Sequence, residues 1–236
     1  MHGASAGARL LAEAVGTAFL LAAVVGSGVM AERLADGNGA LALLCNTLAT
    51  AAMLAVLIQV AGRISGAHFN PAVSFVFMLR GELSRSAFGA YAAAQIAGAL
   101  CGVLLAHAMF ELPLFMTSAH ERTGLGQWLA EGVATFGLIV TILGTREARP
   151  GAVAYTVALY IAAAYWFTAS TSFANPAVTL ARGFTDTFAG IAPAGIPAFV
   201  AAELIGALLA AGSWALLAGS ASGTPASDIR NVETNS

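Results

Sequence analysis

Asn70-Pro71-Ala72-Val73-Ser74 returns later in the chain as Asn175-Pro176-Ala177-Val178-Thr179. Each copy follows a stretch rich in Gly, Ser, Ala and Thr, residues 62–69 and 170–174, and leads into a short apolar run, 73–79 and 178–181. Neither run can cross a bilayer, which takes roughly 20 apolar residues. The pattern predicts a re-entrant loop and half helix, twice. Such irregular backbone is tolerated at membrane depth only where it is buried in protein or lines water. Pro71 and Pro176 suit the first helical position, where the missing N–H costs no hydrogen bond. Asn70 and Asn175 are then N-caps. The side-chain oxygen of each accepts from the first turn, and its amide NH2 is left as an outward donor.

Outward from these motifs the repeat continues. Leu11-Ala12-Glu13-Ala14-Val15-Gly16-Thr17-Ala18-Phe19-Leu20 matches residues 129–138 at six of ten positions, Glu13 on Glu131 among them. Ala93-Ala94-Gln95-Ile96-Ala97-Gly98-Ala99-Leu100 corresponds to Ala201-Ala202-Glu203-Leu204-Ile205-Gly206-Ala207-Leu208, in the same order in both halves. Apolar segments at about 10–30, 39–61, 86–110, 125–144, 151–169 and 197–219 have the lengths of six membrane helices. Although Arg9 precedes the first apolar run, as in a signal peptide, its repeat mate identifies it as a helix of the mature fold. Each half holds three spans, an odd number, so the second half enters the membrane from the opposite side. This is an inverted repeat, a transport architecture. It brings the two caps together near mid-membrane, where two positive helix ends and two amide donors would bind a neutral polar solute and oppose cations.

Composition agrees. Of 236 residues, 58% are hydrophobic and 9% charged, against about 25% charged in a soluble domain. Six spans need about 120 apolar residues, which this chain supplies. All ten basic residues are Arg, the net charge is −2, and no basic run exists that would hold nucleic acid against salt. With both termini inside a bacterial inner membrane, Arg9, Arg63, Arg80, Arg85, Arg146, Arg149 and Arg230 face the cytoplasm against Arg33, Arg122 and Arg182 outside, the orientation that basic residues favour. Cys45 and Cys101 lie in apolar segments without metal-ligand spacing and are expected to be buried; His2, His107 and His120 lie outside any motif. The tail 220–236, rich in Ser, Thr, Asn and Asp, is expected to be disordered and cytoplasmic. Gly98, Gly102 and Gly206 are expected to let helices pack closely.

Over residues 8–219 the sequence resembles the major intrinsic protein family, the aquaporins and aquaglyceroporins. The resemblance rests on Ser65-Gly66-Ala67-His68-Phe69-Asn70-Pro71-Ala72-Val73, on Asn175-Pro176-Ala177 and on the Glu13 and Glu131 repeat. It implies an all-α fold, six transmembrane helices plus two re-entrant half helices, over residues 1–219 (repeats at about 8–110 and 125–219). It also implies homotetrameric assembly in a lipid bilayer, no cofactor and no metal. Glu13 and Glu131 would support the re-entrant loops, with a proton relay as the other reading of an intramembrane carboxylate. Gln95 resembles the family's loop-bracing glutamine, and His68 belongs to the same support. Glu203, the repeat mate of Gln95, departs from the family, which usually has Pro near there.

Family spacing puts the selectivity filter at Thr50, Ala163, Ser172 and Val178. The family normally has aromatic residues among these and Arg in place of Val178. The substitution removes five donors and a fixed charge, and implies a wide, nearly neutral mouth. Such a filter is similar to that of aquaglyceroporin-like channels of bacterial arsenic-resistance gene sets. The resemblance implies passage of small uncharged solutes, water, glycerol and arsenous acid, As(OH)3, with methylated arsenicals as further candidates. Arg182 stands one turn, about 5.4 Å, beyond Val178. It is either a helix-end residue that snorkels or pairs with Asp186, or a vestibule charge that replaces the missing filter Arg, with Asp186 holding it. A relaxed water or glycerol channel explains the same filter; a proton-coupled transporter using Glu13, Glu131 and Glu203, and a non-conducting structural relative, are the other readings. No nucleophile-base set indicates an enzyme.

Overall fold

Residues 4–221 are described by a computed structural model, and their helices follow the hydropathy of the sequence. The crossing helices are α1 (Ala6–Leu34), α2 (Gly39–Ser65), α4 (Arg85–Met109), α5 (Leu125–Ala148), α6 (Val153–Phe167) and α8 (Ile196–Ala221). A 3-10 turn at Pro150–Ala152 brings α6 to spanning length. The half helices are α3 (Pro71–Leu79) and α7 (Pro176–Arg182). No strand occurs among the described residues. Caps follow the sequence: Ser5, Asn38 and Ser84 accept from Ala8, Leu41 and Ala87 N–H at 3.2, 3.1 and 3.2 Å, satisfying donors that a helix start leaves orphaned.

Successive crossings place the start of α1, segments 80–84 and 149–152 and the end of α8 on one face of the bundle, here the terminal face. Segments 35–38, 110–124 and 183–195 lie on the other, distal face. The loop before α3 dips in from the terminal face and the loop before α7 from the distal face, which is the inverted repeat. The halves correspond in packing, α1 against α4 as α5 against α8, and α2 meets α6 at the seam.

Inside, polar side chains are buried within a mainly apolar core, and the outside is apolar, the inverse of a water-soluble surface. Glu13, Gln95, Glu131 and Glu203 are fully buried, whereas Leu11, Leu48, Leu129, Leu159 and Leu209 are exposed, as a bilayer solvent requires. This inversion corrects the reading of Cys45 and Cys101: both are exposed, because in such a protein an apolar segment has no reason to turn a small hydrophobe inward. Of the tail expected from Ser220, the first two residues belong to α8, which runs to Ala221. The tail's remainder lies outside the described residues.

Glycine sets the closest approaches. A methyl group on Gly98 would overlap the Ala14 carbonyl of α1, one on Gly102 the Ala18 carbonyl, and one on Gly206 the Gly132 carbonyl of α5. Gly89, also on α4, has open space around it. Gly98→Val should therefore destabilise the detergent-solubilised protein by about 1–3 kcal/mol, the usual cost of overpacking, and lower its thermal unfolding midpoint, whereas Gly89→Ala should leave the midpoint unchanged or raise it.

Candidate functional site

The two half helices meet cap to cap. Asn70 Oδ1 accepts from Ala72 N–H at 2.8 Å and from Val73 N–H at 3.5 Å; Asn175 Oδ1 accepts from Ala177 and Val178 N–H at 3.0 and 3.3 Å. Pro71 and Pro176 occupy the first helical positions. The amides are less free than the sequence implied. Asn70 Nδ2 donates to Ala174 O at 2.7 Å, and Asn175 Nδ2 donates to Phe69 O at 2.8 Å. Each asparagine thus ties the other half's loop and keeps one amide hydrogen beyond that bond.

The loops are strained in the same places. Gly66, Ala67 and Phe69 in the first, and Thr171, Ser172 and Ala174 in the second, all have positive φ. For the five that are not Gly, this conformation persists only where the surroundings over-determine it. A buried carboxylate does so in each half. Glu13 accepts from His68 and Phe69 N–H at 3.0 and 2.6 Å, and Glu131 from Phe173 and Ala174 N–H at 2.9 and 2.7 Å. Gln95 Nε2 donates to Glu13 at 2.8 Å and to Ser74 Oγ at 2.9 Å, and the His68 ring pairs with Ser74 at 3.0 Å. In the second half Glu203 Oε1 accepts from Asn175 N–H at 3.1 Å and from the Thr179 hydroxyl at 2.5 Å.

A cavity of about 500 Å3 runs beside this junction. Its lining includes Arg63, Arg146 and Pro150 toward the terminal face, Asn70 and Asn175 at the junction, and Arg182 toward the distal face. Thr50, Ser172 and Val178 line it as well. Ala163 does not: it is on the exposed side of α6, because the inward stripe of that helix passes through Val157, Ile161, Ala164 and Tyr165. Tyr165 takes its place at the cavity wall, and its hydroxyl donates to Thr50 Oγ1 at 3.3 Å. The mouth therefore holds an aromatic residue and a guanidinium, which corrects the expectation of a nearly neutral opening lined by small side chains.

Arg182 neither snorkels nor pairs with Asp186. It is 3% exposed, donates from Nε to Ala189 O, and lays its guanidinium carbon 3.4 Å from the centre of the Phe173 ring. The helix ends at Arg182, so Asp186 has no i+4 helical register; it is exposed and accepts instead from Ala119 N–H at 2.8 Å. Sequence reasoning missed Arg122, whose guanidinium carbon is 5.2 Å from the same Phe173 ring. It donates to the carbonyls of Gly190, Ser170 and Phe188 at 2.8, 3.5 and 3.4 Å. It also missed His107, fully buried, whose ring pairs with Leu114 O at 3.0 Å and Thr185 Oγ1 at 2.8 Å. Both fasten the distal segments 110–124 and 183–195 to each other. At the terminal face, partial burial raises the Glu82 pKa, but the bonds and charges of Arg80 and Arg146 outweigh it and hold the carboxyl below its ordinary value. The ion pairs are 2.8 and 2.9 Å long.

Inverted halves, joined half helices and a cavity walled by both define a membrane channel. The chain belongs to the major intrinsic protein family, whose model matches residues 3–152, and it is a channel rather than an enzyme. It is 59% identical over 202 residues to the aquaglyceroporin AqpS of Rhizobium meliloti (strain 1021), covering 86% of each chain. It is 29% identical over 220 residues to the lens fiber major intrinsic protein of Gallus gallus, covering 86% of this chain and 78% of that one. The X-ray structure of the aquaglyceroporin from Plasmodium falciparum shares the fold, with a TM-score of 0.67 at 20% identity over 88% of this chain and 94% of that chain.

The repeat pair Gln95 and Glu203 gives a test of loop support. A Gln at 203 keeps an oxygen for Asn175 N–H and Thr179, and adds the amide that its repeat mate turns toward Glu13. Glu203→Gln should therefore fold and unfold like the wild type. Glu203→Ala, which strands a buried N–H and a hydroxyl, should lose about 1–3 kcal/mol of stability, visible as a lower unfolding midpoint in detergent.

Proposed function

We propose that this channel passes small uncharged solutes down their gradients: water, glycerol, and trivalent arsenous acid together with methylated arsenicals. In this reading Asn70 and Asn175 form the central constriction, presenting their remaining amide hydrogens to a solute hydroxyl. Thr50, Tyr165, Ser172 and Val178 form the filter. Pro71, Ala72, Pro176 and Ala177 start the half helices, and Glu13, Glu131, His68, Gln95 and Glu203 support the loops. The protein sits in a bacterial inner membrane as a homotetramer with both termini cytoplasmic.

The observation that carries the solute class is Val178 at the cavity wall, where the family normally has Arg. An isopropyl group leaves space and offers no bidentate donor pair to select one solute. Arsenous acid presents hydroxyls much as a polyol does, so the same lining serves both. The passive reading is favoured over proton coupling because the cavity lining contains no carboxylate among the described residues. Glu13, Glu131 and Glu203 all turn to loop backbone instead.

Stopped-flow light scattering of proteoliposomes with water, glycerol, urea and arsenite gradients tests this. Wild-type flux of arsenite and glycerol above that of empty liposomes is expected; a proton gradient driving uphill uptake would instead indicate coupling. Val178→Arg should cut arsenite and glycerol flux about tenfold or more, the effect of roughly 1.4 kcal/mol of added barrier, and water flux much less. Asn175→Asp keeps the cap but sets a carboxylate against Phe69 O, so it should lower glycerol flux and admit cations, measurable as a potassium leak.

A further inference from the structure

Val178 leaves the filter without its usual fixed charge, yet a guanidinium stands close by. Arg182 is one turn of α7 further toward the distal face, about 5.4 Å along the helix axis, and lines the same cavity as Val178, Ser172 and Tyr165. Its hold on the protein is one-sided. Nε binds Ala189 O and the planar group stacks on Phe173, while its two terminal nitrogens make no hydrogen bond to any described residue. They are not among the fully buried unpaired atoms either, so they retain access to the cavity. Ser172 also lines the cavity, but its Oγ is fully buried and has no hydrogen-bond partner among the described residues. A buried guanidinium is normally fully paired, because an unpaired buried charge is costly. Arg122, the other cation on Phe173, contrasts with it: three carbonyls occupy its guanidinium, and it does not line the cavity.

We propose that Arg182 is the charge-selectivity residue of this channel, a filter arginine displaced outward by one helical turn. Phe173 and Ala189 O hold the guanidinium against the wall, so it repels monovalent cations without filling the opening that Val178 leaves. Glu131 and Glu203, the carboxylates whose fields reach it and partly offset its charge, bind the loop backbone and do not line the cavity, so neither sets a negative group at the wall. Arg122 is a positioning residue here: it contacts the same Phe173 ring and, through the carbonyls of Phe188 and Gly190, ties down the segment that carries Ala189. This inference rests on the uncharged-solute reading above and adds to it how a wide opening stays closed to ions.

The test is voltage-clamped oocytes expressing the full chain as wild type, Arg182→Gln, Arg182→Lys, and Arg182→Gln combined with Val178→Arg, with glycerol uptake and surface protein measured on the same cells. For Arg182→Gln the ratio of potassium current to glycerol uptake should rise about tenfold or more, as expected for removal of a unit charge from a low-dielectric wall. Arg182→Lys should restore a low ratio, and Val178→Arg in the Gln background should return the potassium current per surface channel to the wild-type level, whatever it does to glycerol uptake. A ratio unchanged from wild type in Arg182→Gln overturns the proposal. So does failure of both Gln and Lys variants to reach the surface, since Arg182 would then be a structural latch. Absent glycerol uptake in the wild type defeats the uncharged-solute reading instead, and the potassium current alone still decides Arg182.

Discussion

The crossed pair of asparagine bonds, Asn70 to Ala174 O and Asn175 to Phe69 O, is the constraint around which the rest of the molecule is arranged. Each side chain serves two clients. Its oxygen caps its own half helix, and its nitrogen fixes the last residue of the opposite loop. Neither cap can shift without releasing a carbonyl of the other half at membrane depth, where no lipid group will replace the partner. The junction is therefore self-locating, and its position fixes where α3 and α7 begin. From there the needs of the two loops propagate outward. Left-handed residues just before each cap aim the carbonyls correctly, those backbones need fixed acceptors for their N–H groups, and Glu13 and Glu131 supply them from the cores of α1 and α5. Carboxylate acceptors suit this place because bonds to a charged group are about twice as strong as neutral ones.

Much of this was legible because it is local and repeated. Asn before Pro at a helix start, small residues ahead of it, and a Glu in an otherwise apolar helix are each readable one turn at a time, and duplication turned weak signals into an inverted repeat. What escaped was set by three-dimensional register. Ala163 was placed by counting back from Asn175 through a loop, but a loop with three left-handed residues does not advance like a helix. The inward stripe of α6 reaches Tyr165 instead. Asp186 was assigned to Arg182 on helical spacing, and the helix stops before that spacing applies. The cysteines were assigned by a rule for water-soluble cores, which reverses when the solvent is lipid. Arg122 and His107 carry no sequence motif at all; only the meeting of segments 110–124 and 183–195 gives them partners.

The halves are alike in how they support the junction and unlike in what they place beside it. In the first, Gln95 and His68 serve Ser74 and Glu13. In the second, Glu203 takes over the brace, and three features of the wall, Ser172, Val178 and Arg182, come from a single stretch of loop and half helix. Distal segments wrap this stretch with bonds from Arg122 and His107, so the wall is built on fixed elements. The terminal-face mouth has its own clamp, where Glu82 holds Arg146 and Arg146 packs on Phe77 with its guanidinium carbon 4.5 Å from the ring centre.

Charge along the cavity follows from these placements. Arg63 and Arg146 stand toward one end, amide donors at the middle and Arg182 toward the other, with no carboxylate of the described residues in the wall. The acids that such a fold needs to hold its strained loops are present but face backbone N–H groups and do not line the cavity. A small wall residue and a guarded pore are therefore compatible. In the function proposed above, width is set at Val178, which is small enough for bulky solutes to pass, and sign is set by Arg182, one turn further along α7. Separating the two properties lets one be relaxed without the other, which a single filter arginine, acting as both wedge and charge, does not allow.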